Sequence, residues 1–114
     1  MNRCRRGEIW LVNFAPGRGS EQQGVRPALV IQNDIGNQHA STTIVAAITT
    51  TTKSYPFTVL LDRRESGLPK PSMVNLAQVL TIDQRRMIRK MSDLPPETMG
   101  RVNEAIRVSL DIFP

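Results

Sequence analysis

Apolar positions along this chain recur at every second residue, or in short unbroken runs, until the final segment, where the spacing turns helical. In "GEIWLVNF" Trp10, Val12 and Phe14 share one face of an extended segment and Ile9 and Leu11 the other, so this first strand needs cover on both sides. "APGRGSEQQG" breaks the pattern and predicts an exposed loop. "RPALVIQ" is a continuous apolar run suited to a central strand, and Asn33, Asp34, Ile35 and Gly36 after it carry turn chemistry. "TTIVAAIT" reads as a third strand rich in β-branched residues. A polar loop "TTTKSYP", a fourth strand "FTVLL", a turn "DRRESGLPKP" and a fifth strand "SMVNLAQVLTI" follow. Asp83 can cap a short helix predicted through "QRRMIRK". In the final segment Met99, Val102, Ile106 and Leu110 recur at helical spacing, with Pro95 and Pro96 at the start. Gly100 weakens that helix by roughly 1 kcal/mol relative to alanine. The pattern predicts a mainly β fold, a curled antiparallel sheet with a C-terminal helix packed on it, and a small SH3-like barrel is its simplest closure. So many short strands leave few residues to cover every face, a need that an oligomer would meet.

Length bounds the organisation: 114 residues predict one domain over 1–114. Charge adds a partner class. The net charge of +5 and the pI of about 10.4 point to an anionic partner, nucleic acid first, with membrane surfaces and acidic protein segments behind it. Lysine occurs only at Lys53, Lys70 and Lys90, so most of the positive charge is guanidinium, which makes bidentate bonds to phosphate or carboxylate. The plain alternative is a solvated basic surface. Cys4 is the only cysteine, which excludes an intrachain disulfide and fits a reducing cytoplasm. The basic N-terminus lacks an apolar core region, and no run approaches the ~18 apolar residues of a membrane span. The expectation is a soluble, cytoplasmic protein.

Candidate chemistry is reached mostly by elimination. His39 and Cys4 are single representatives of their types, and neither stands near a carboxylate pair at ligand spacing, so no metal or other cofactor is expected. His39 lies in "GNQHAST" and reads as a solvated loop residue. Gly17-Arg18-Gly19 is too short to be a phosphate cradle. What remains is Arg26, held extended at a strand entrance by Pro27. If the second and third strands are antiparallel neighbours, Arg26 and Thr49 fall at the same edge of the sheet and can share an anion pocket. The alternative pairs Arg26 with Glu21 or Glu8 and leaves Thr49 as a residue that merely ends a strand; spacing does not separate the two.

"RRGEIWLVNFAP", "GSEQQGVRPALVIQND", "TTIVAAIT" and "SMVNLAQVLTID" together resemble the MazF/PemK/Kid ribonuclease toxins of type II toxin–antitoxin systems. The most specific part is G-S-E-Q-x-G-x-R-P, here Gly19 to Pro27, followed by Gln32-Asn33-Asp34. The resemblance implies a CcdB/PemK-like barrel, a homodimer that cleaves single-stranded RNA without metal and is neutralised by a cognate, MazE-like antitoxin. It implies Arg26 and Thr49 as the catalytic pair. RNA contacts are expected from Ser20, Glu21 and Gln22 in the loop, from Thr50, and from Gln78 and Arg86. Many members carry Q-x-R-T-I-D on the fifth strand; "QVLTID" puts Leu80 where that arginine usually stands.

The implied chemistry uses the RNA's own 2′-hydroxyl as nucleophile on the adjacent phosphorus and yields a 2′,3′-cyclic phosphate and a 5′-hydroxyl. A guanidinium gives two parallel donors to the phosphoryl oxygens as charge builds there. Thr49 would donate to the phosphate or hold the reacting group in line. Aromatic residues are only 4% of the chain. Trp10, Phe14 and Phe57 read as core, which leaves Tyr55 as the exposed stacking candidate. Two rivals stand beside this reading. A gyrase poison of the CcdB type would carry a Trp-Gly-Ile tail, whereas this chain ends "SLDIFP". A catalytically silent RNA-binding barrel would explain the charge alone.

Overall fold

The computed structural model describes residues 3–14 and 24–113. Six strands form one sheet in the order β4-β5-β3-β2-β1-β6, and every pairing is antiparallel. The strands are β1 (Glu8–Asn13), β2 (Val25–Val30), β3 (Thr42–Thr49), β4 (Thr58–Leu61), β5 (Ser72–Asp83) and β6 (Met87–Asp93). Three helices accompany them: α1 (Asp34–His39), α2 (Arg63–Ser66) and α3 (Pro96–Leu110).

The strands predicted from alternation are present, and β1 is covered on both faces as expected. Ile9 joins Leu29, Ala46, Ile48, Val74 and Leu76 in a core that Val102 and Ala105 of α3 seal. Trp10 and Val12 join Ala28, Val30, Val45, Ile82 and Met87 in a second cluster on the opposite face. Burying both faces of a strand this way stabilises by roughly 25 cal/mol per Å² of apolar surface removed from water. Helix α3 starts at Pro95 and Pro96 as predicted, with Pro95 at the N-cap. Val102 is fully buried and Met99 and Ile106 pack at the margin, whereas Leu110 is 58% exposed and Ala105 takes the inner position instead.

Three local expectations are corrected. The segment from Asn33 to His39 is not a turn. Asn33 Oδ1 accepts the Gly36 N–H at 2.7 Å and starts α1, a helix too short to show its period in the sequence. His39 therefore ends a helix, still exposed. The turn after β4 contains α2, closed by a capping box between Asp62 and Glu65. The helix expected through "QRRMIRK" is a single 3-10 turn, Gln84–Arg86, which Asp83 caps by accepting the Arg85 N–H, followed by β6. Pairing with β1, Met87 against Val12 and Asp93 against Glu8, overrides the helical preference of those side chains.

The curl is barrel-like, but the hydrogen-bonded ladder leaves β4 and β6 as its two edges among the described residues. Helix α2 spans the gap. Ser92 Oγ of β6 donates to Ser66 O of α2 at 2.5 Å. Gly67 follows at φ +69°, where an added Cβ would come within 3.1 Å of Ser92 Cβ, so only glycine fits the approach without strain.

Candidate functional site

Strands β2 and β3 pair Ala28 with Ala47, Leu29 with Ala46 and Val30 with Val45. Continuing that register to the strand ends sets Arg26 opposite Thr49. Residues opposite one another in a ladder project from the same face. Arg26 and Thr49 thus share the face of the Trp10 cluster, at its open rim. On its other flank Arg26 pairs with Val12, and Thr49 pairs with Met73 of β5. Arg26 is exposed and Thr49 half-buried.

The rival partner Glu8 is engaged elsewhere. It sits at the opposite end of β1 from Val12, where Oε1 accepts the Arg5 N–H at 2.7 Å and Trp10 Nε1–H at 2.9 Å. Its Oε2 pairs with Lys90 Nζ at 3.2 Å. Glu21, the other candidate, lies outside the described residues, as do Ser20 and Gln22.

Local geometry orients the hydroxyl of Thr49. Its Oγ1 accepts the Thr51 N–H at 3.2 Å, so the oxygen is fixed toward the chain and the hydroxyl proton is directed elsewhere. Thr50 is exposed beside it. Gln78 stands on β5 within the register break between Val79 and Asn75; Leu80 faces Val45 and packs on the Trp10 cluster. The leucine at the family's arginine position is thus partly core, while Gln78 is half-buried at the rim.

Arg86 ends the 3-10 turn, next to Met87, which pairs with Val12. It is exposed, and its Nη1 donates to Asn13 O at 3.4 Å. Arg86 and Arg26 consequently flank the same end of β1. Neighbouring Arg85 is tied to Asp83 at 2.8 Å. Hydrogen bonds from the Arg85 side chain and backbone hold the Asp83 carboxyl down to about 2, so that pair is self-neutralised and Arg86 carries the charge at this end.

The segment after Thr49 forms a wall beside these groups. Lys53 N–H contacts Met73 Sδ at 3.4 Å. Tyr55, 49% exposed, lies parallel to Phe57 with ring centroids 5.2 Å apart. Phe57 was expected in the core; it is half-buried as the inner ring of this stack, and its carbonyl accepts the Leu76 N–H at 3.0 Å. The alternation in sequence gave no sign that Asn75 would join the rim. Asn75 pairs with Ala47 on one side and Thr58 on the other, and its placement depends on a register break in β5. Among the described residues no three His, Cys, Asp or Glu side chains converge as metal ligands, and no helix is long and apolar enough to cross a membrane.

Away from the rim, a groove between β4 and α3 is lined by Val59, Leu60, Ala105 and Val108. Leu60, Val108, Leu110, Ile112 and Phe113 stand 43–72% exposed around that part of the molecule and the α3 terminus.

Residues 5–110 match the family described as PemK-like, MazF-like toxin of type II toxin–antitoxin system. Endoribonuclease EndoA of Bacillus subtilis (strain 168) is 44% identical over 111 residues, 96% of each chain. The structure is similar to crystalline MazF from Deinococcus radiodurans, with a TM-score of 0.83 at 26% identity over 98% of this chain and 100% of that one. It is also similar to a MazE–MazF complex from the same organism, with a TM-score of 0.80 at 25% identity over 99% and 100%.

Proposed function

The chain belongs to the PemK-like, MazF-like toxin family of type II toxin–antitoxin systems, and from that premise we propose that it is a metal-independent endoribonuclease that cuts single-stranded RNA at Arg26 and Thr49. One observation carries the reading: the β2–β3 register sets an exposed arginine opposite a threonine whose hydroxyl oxygen is already held by the Thr51 N–H. A phosphodiester seated between them meets a two-donor guanidinium and a hydroxyl donor on one face.

The RNA's 2′-hydroxyl attacks phosphorus, the 5′-oxygen leaves, and a 2′,3′-cyclic phosphate and a 5′-hydroxyl result. Arg26 neutralises the charge gathered on the non-bridging oxygens, where a preorganised donor is worth about 3 kcal/mol. A guanidinium is a poor base near neutrality, so its weight here is electrostatic. Thr49 holds the phosphate in line. Arg86 and Thr50 extend the positive and polar surface on either side, Gln78 supplies an amide for a base edge, and Tyr55 offers an exposed ring for a base to stack on. Ser20, Glu21 and Gln22, outside the described residues, remain part of the proposed RNA-contacting set.

The exposed apolar surface around Leu60, Val108 and Phe113 supports a homodimer with its partner seated there. The MazE–MazF complex of Deinococcus radiodurans supports an antitoxin of MazE type as the cellular inhibitor. Its acidic groups would compete with RNA for the basic rim. A cytoplasmic site of action follows from an mRNA substrate. Purified protein incubated with single-stranded RNA in EDTA should produce fragments with cyclic phosphate ends; intact RNA of every sequence tried would refute the reading.

A further inference from the structure

Strand β5 loses its register against β3 at one place. Ala46 faces Val79 and Ala47 faces Asn75, so the β5 strand carries three extra residues, 76 to 78, between these two pairs. Leu76 turns into the α3-side core, and Asn75 closes the bulge: its Oδ1 accepts the Ala77 N–H at 2.9 Å. Only the carbonyl end of a carboxamide can accept that bond, so the oxygen is held on the backbone and the NH₂ end is the amide's remaining donor. Asn75 is half-buried and shares a face with Thr49. It stands diagonally across from Thr49 in the ladder, a spacing of about 7–8 Å.

We propose that Asn75 reads the base next to the scissile phosphate and selects a keto base, guanine or uracil, over an amino base; the proposal rests on the endoribonuclease reading above. An unconstrained asparagine presents acceptor and donor side by side, the pair that matches adenine. Here the oxygen is turned to the Ala77 N–H, and the NH₂ donor is the group left for a substrate held at Arg26 and Thr49. That donor pairs with the keto oxygen of guanine or uracil. On adenine or cytosine it meets an amino group, a second donor, and both lose solvent without gaining a bond. The bulge therefore does two things: it brings Asn75 to the rim, and it sets which half of the amide is presented.

The test is cleavage of an RNA pool randomised at every position, with the cut ends sequenced for wild type, Asn75→Asp and Asn75→Ala. Wild type should favour G or U over A or C at one position beside the cut by roughly tenfold. Asn75→Asp keeps the Oδ1 acceptor for Ala77, and with it the bulge, but turns the outward donor into an acceptor, so the preference at that position should reverse toward A or C. Asn75→Ala should flatten it; if that variant fails to fold, the Asp variant carries the test alone. A residue that only shapes the bulge predicts the same base ratios in wild type and Asn75→Asp, and that result would overturn the assignment while leaving the nuclease reading intact. Wild type that cuts nothing overturns both.

Discussion

Asn37, Thr43 and Gln84 gather where β3 begins, each no more than 1% exposed; Arg26, Thr49 and Asn75 gather where it ends, exposed or half-buried. Amides and threonine hydroxyls serve both groups, but the first group is closed on itself. Thr43 Oγ1 donates to Asn37 Oδ1 at 2.6 Å, and Gln32 Nε2 donates to the same oxygen at 3.0 Å. Gln84 Nε2 donates to the carbonyls of Asn37 and Ala40 at 2.9 and 3.1 Å. Gln84 Oε1 accepts from Cys4, whose thiol burial pushes up and keeps protonated. No buried side-chain nitrogen or oxygen is left without a partner among the described residues. At the other end, Thr49 and Asn75 each use their oxygen to accept a backbone N–H two residues on, which leaves each side chain a donor. Polar groups that satisfy one another fix the fold, whereas a rim of exposed and half-buried ones leaves room for the ligand proposed above.

Substitutions at each end should separate these roles. Arg26→Ala should lower the cleavage rate by at least about a hundredfold, with stability changed by no more than about 0.5 kcal/mol, since an exposed strand-end side chain contributes little to folding. The loss should appear in kcat more than in RNA affinity. A variant that cleaves at near wild-type rate would make both ends structural. Thr49→Val keeps shape and β-branching and removes the hydroxyl; single-turnover cleavage should fall by roughly tenfold to a hundredfold with an unchanged Tm.

Gln84→Met inverts the pattern. It keeps the volume but strands the carbonyls that Gln84 serves, so chemical denaturation should show a loss of about 2–4 kcal/mol, while kcat per folded molecule stays at the wild-type value. A selective fall in kcat would join the two ends functionally and break the comparison. The smallest effect is expected at Asp83, whose carboxyl Arg85 holds down to about 2. A depressed carboxylate contributes stability that is present above its ordinary value near ~3.9 and is lost as pH falls through the lowered one. Asp83→Asn should therefore lower Tm slightly at neutrality and flatten the Tm–pH curve between roughly pH 4 and 2, where the two proteins converge. A slope that persists in the variant would assign the acid limb to another group, Asp34 first, whose carboxyl the Arg6 backbone N–H also lowers.

Alternation and helical spacing were enough to read the first five strands, the double cover on β1 and the terminal helix. The Arg26–Thr49 juxtaposition needed only the assumption of antiparallel neighbours, which the β2–β3 pairing bears out. Features that depend on distant partners were not legible. Strand β6 has helix-favouring side chains and becomes a strand only because β1 offers it an edge. Helix α1 is signalled by its cap alone, and the same Asn-Asp chemistry serves turns. Leu80 and Asn75 owe their settings to a bulge whose position no periodicity announces.

The pairing of β1 with β6 has a consequence for how the protein is made. Glu8 lies against Asp93, and Val12, the strand neighbour of Arg26, lies against Met87. Strand β1 thus waits for β6, made about 80 residues later, and contacts of such sequence separation form slowly. Until β6 emerges, β1 has one bare edge and the Trp10 cluster lacks Met87. A nascent chain held on the ribosome short of Met87 lacks the strand that flanks the Arg26 end of β1, so that end of the sheet is completed only after β6 has been made.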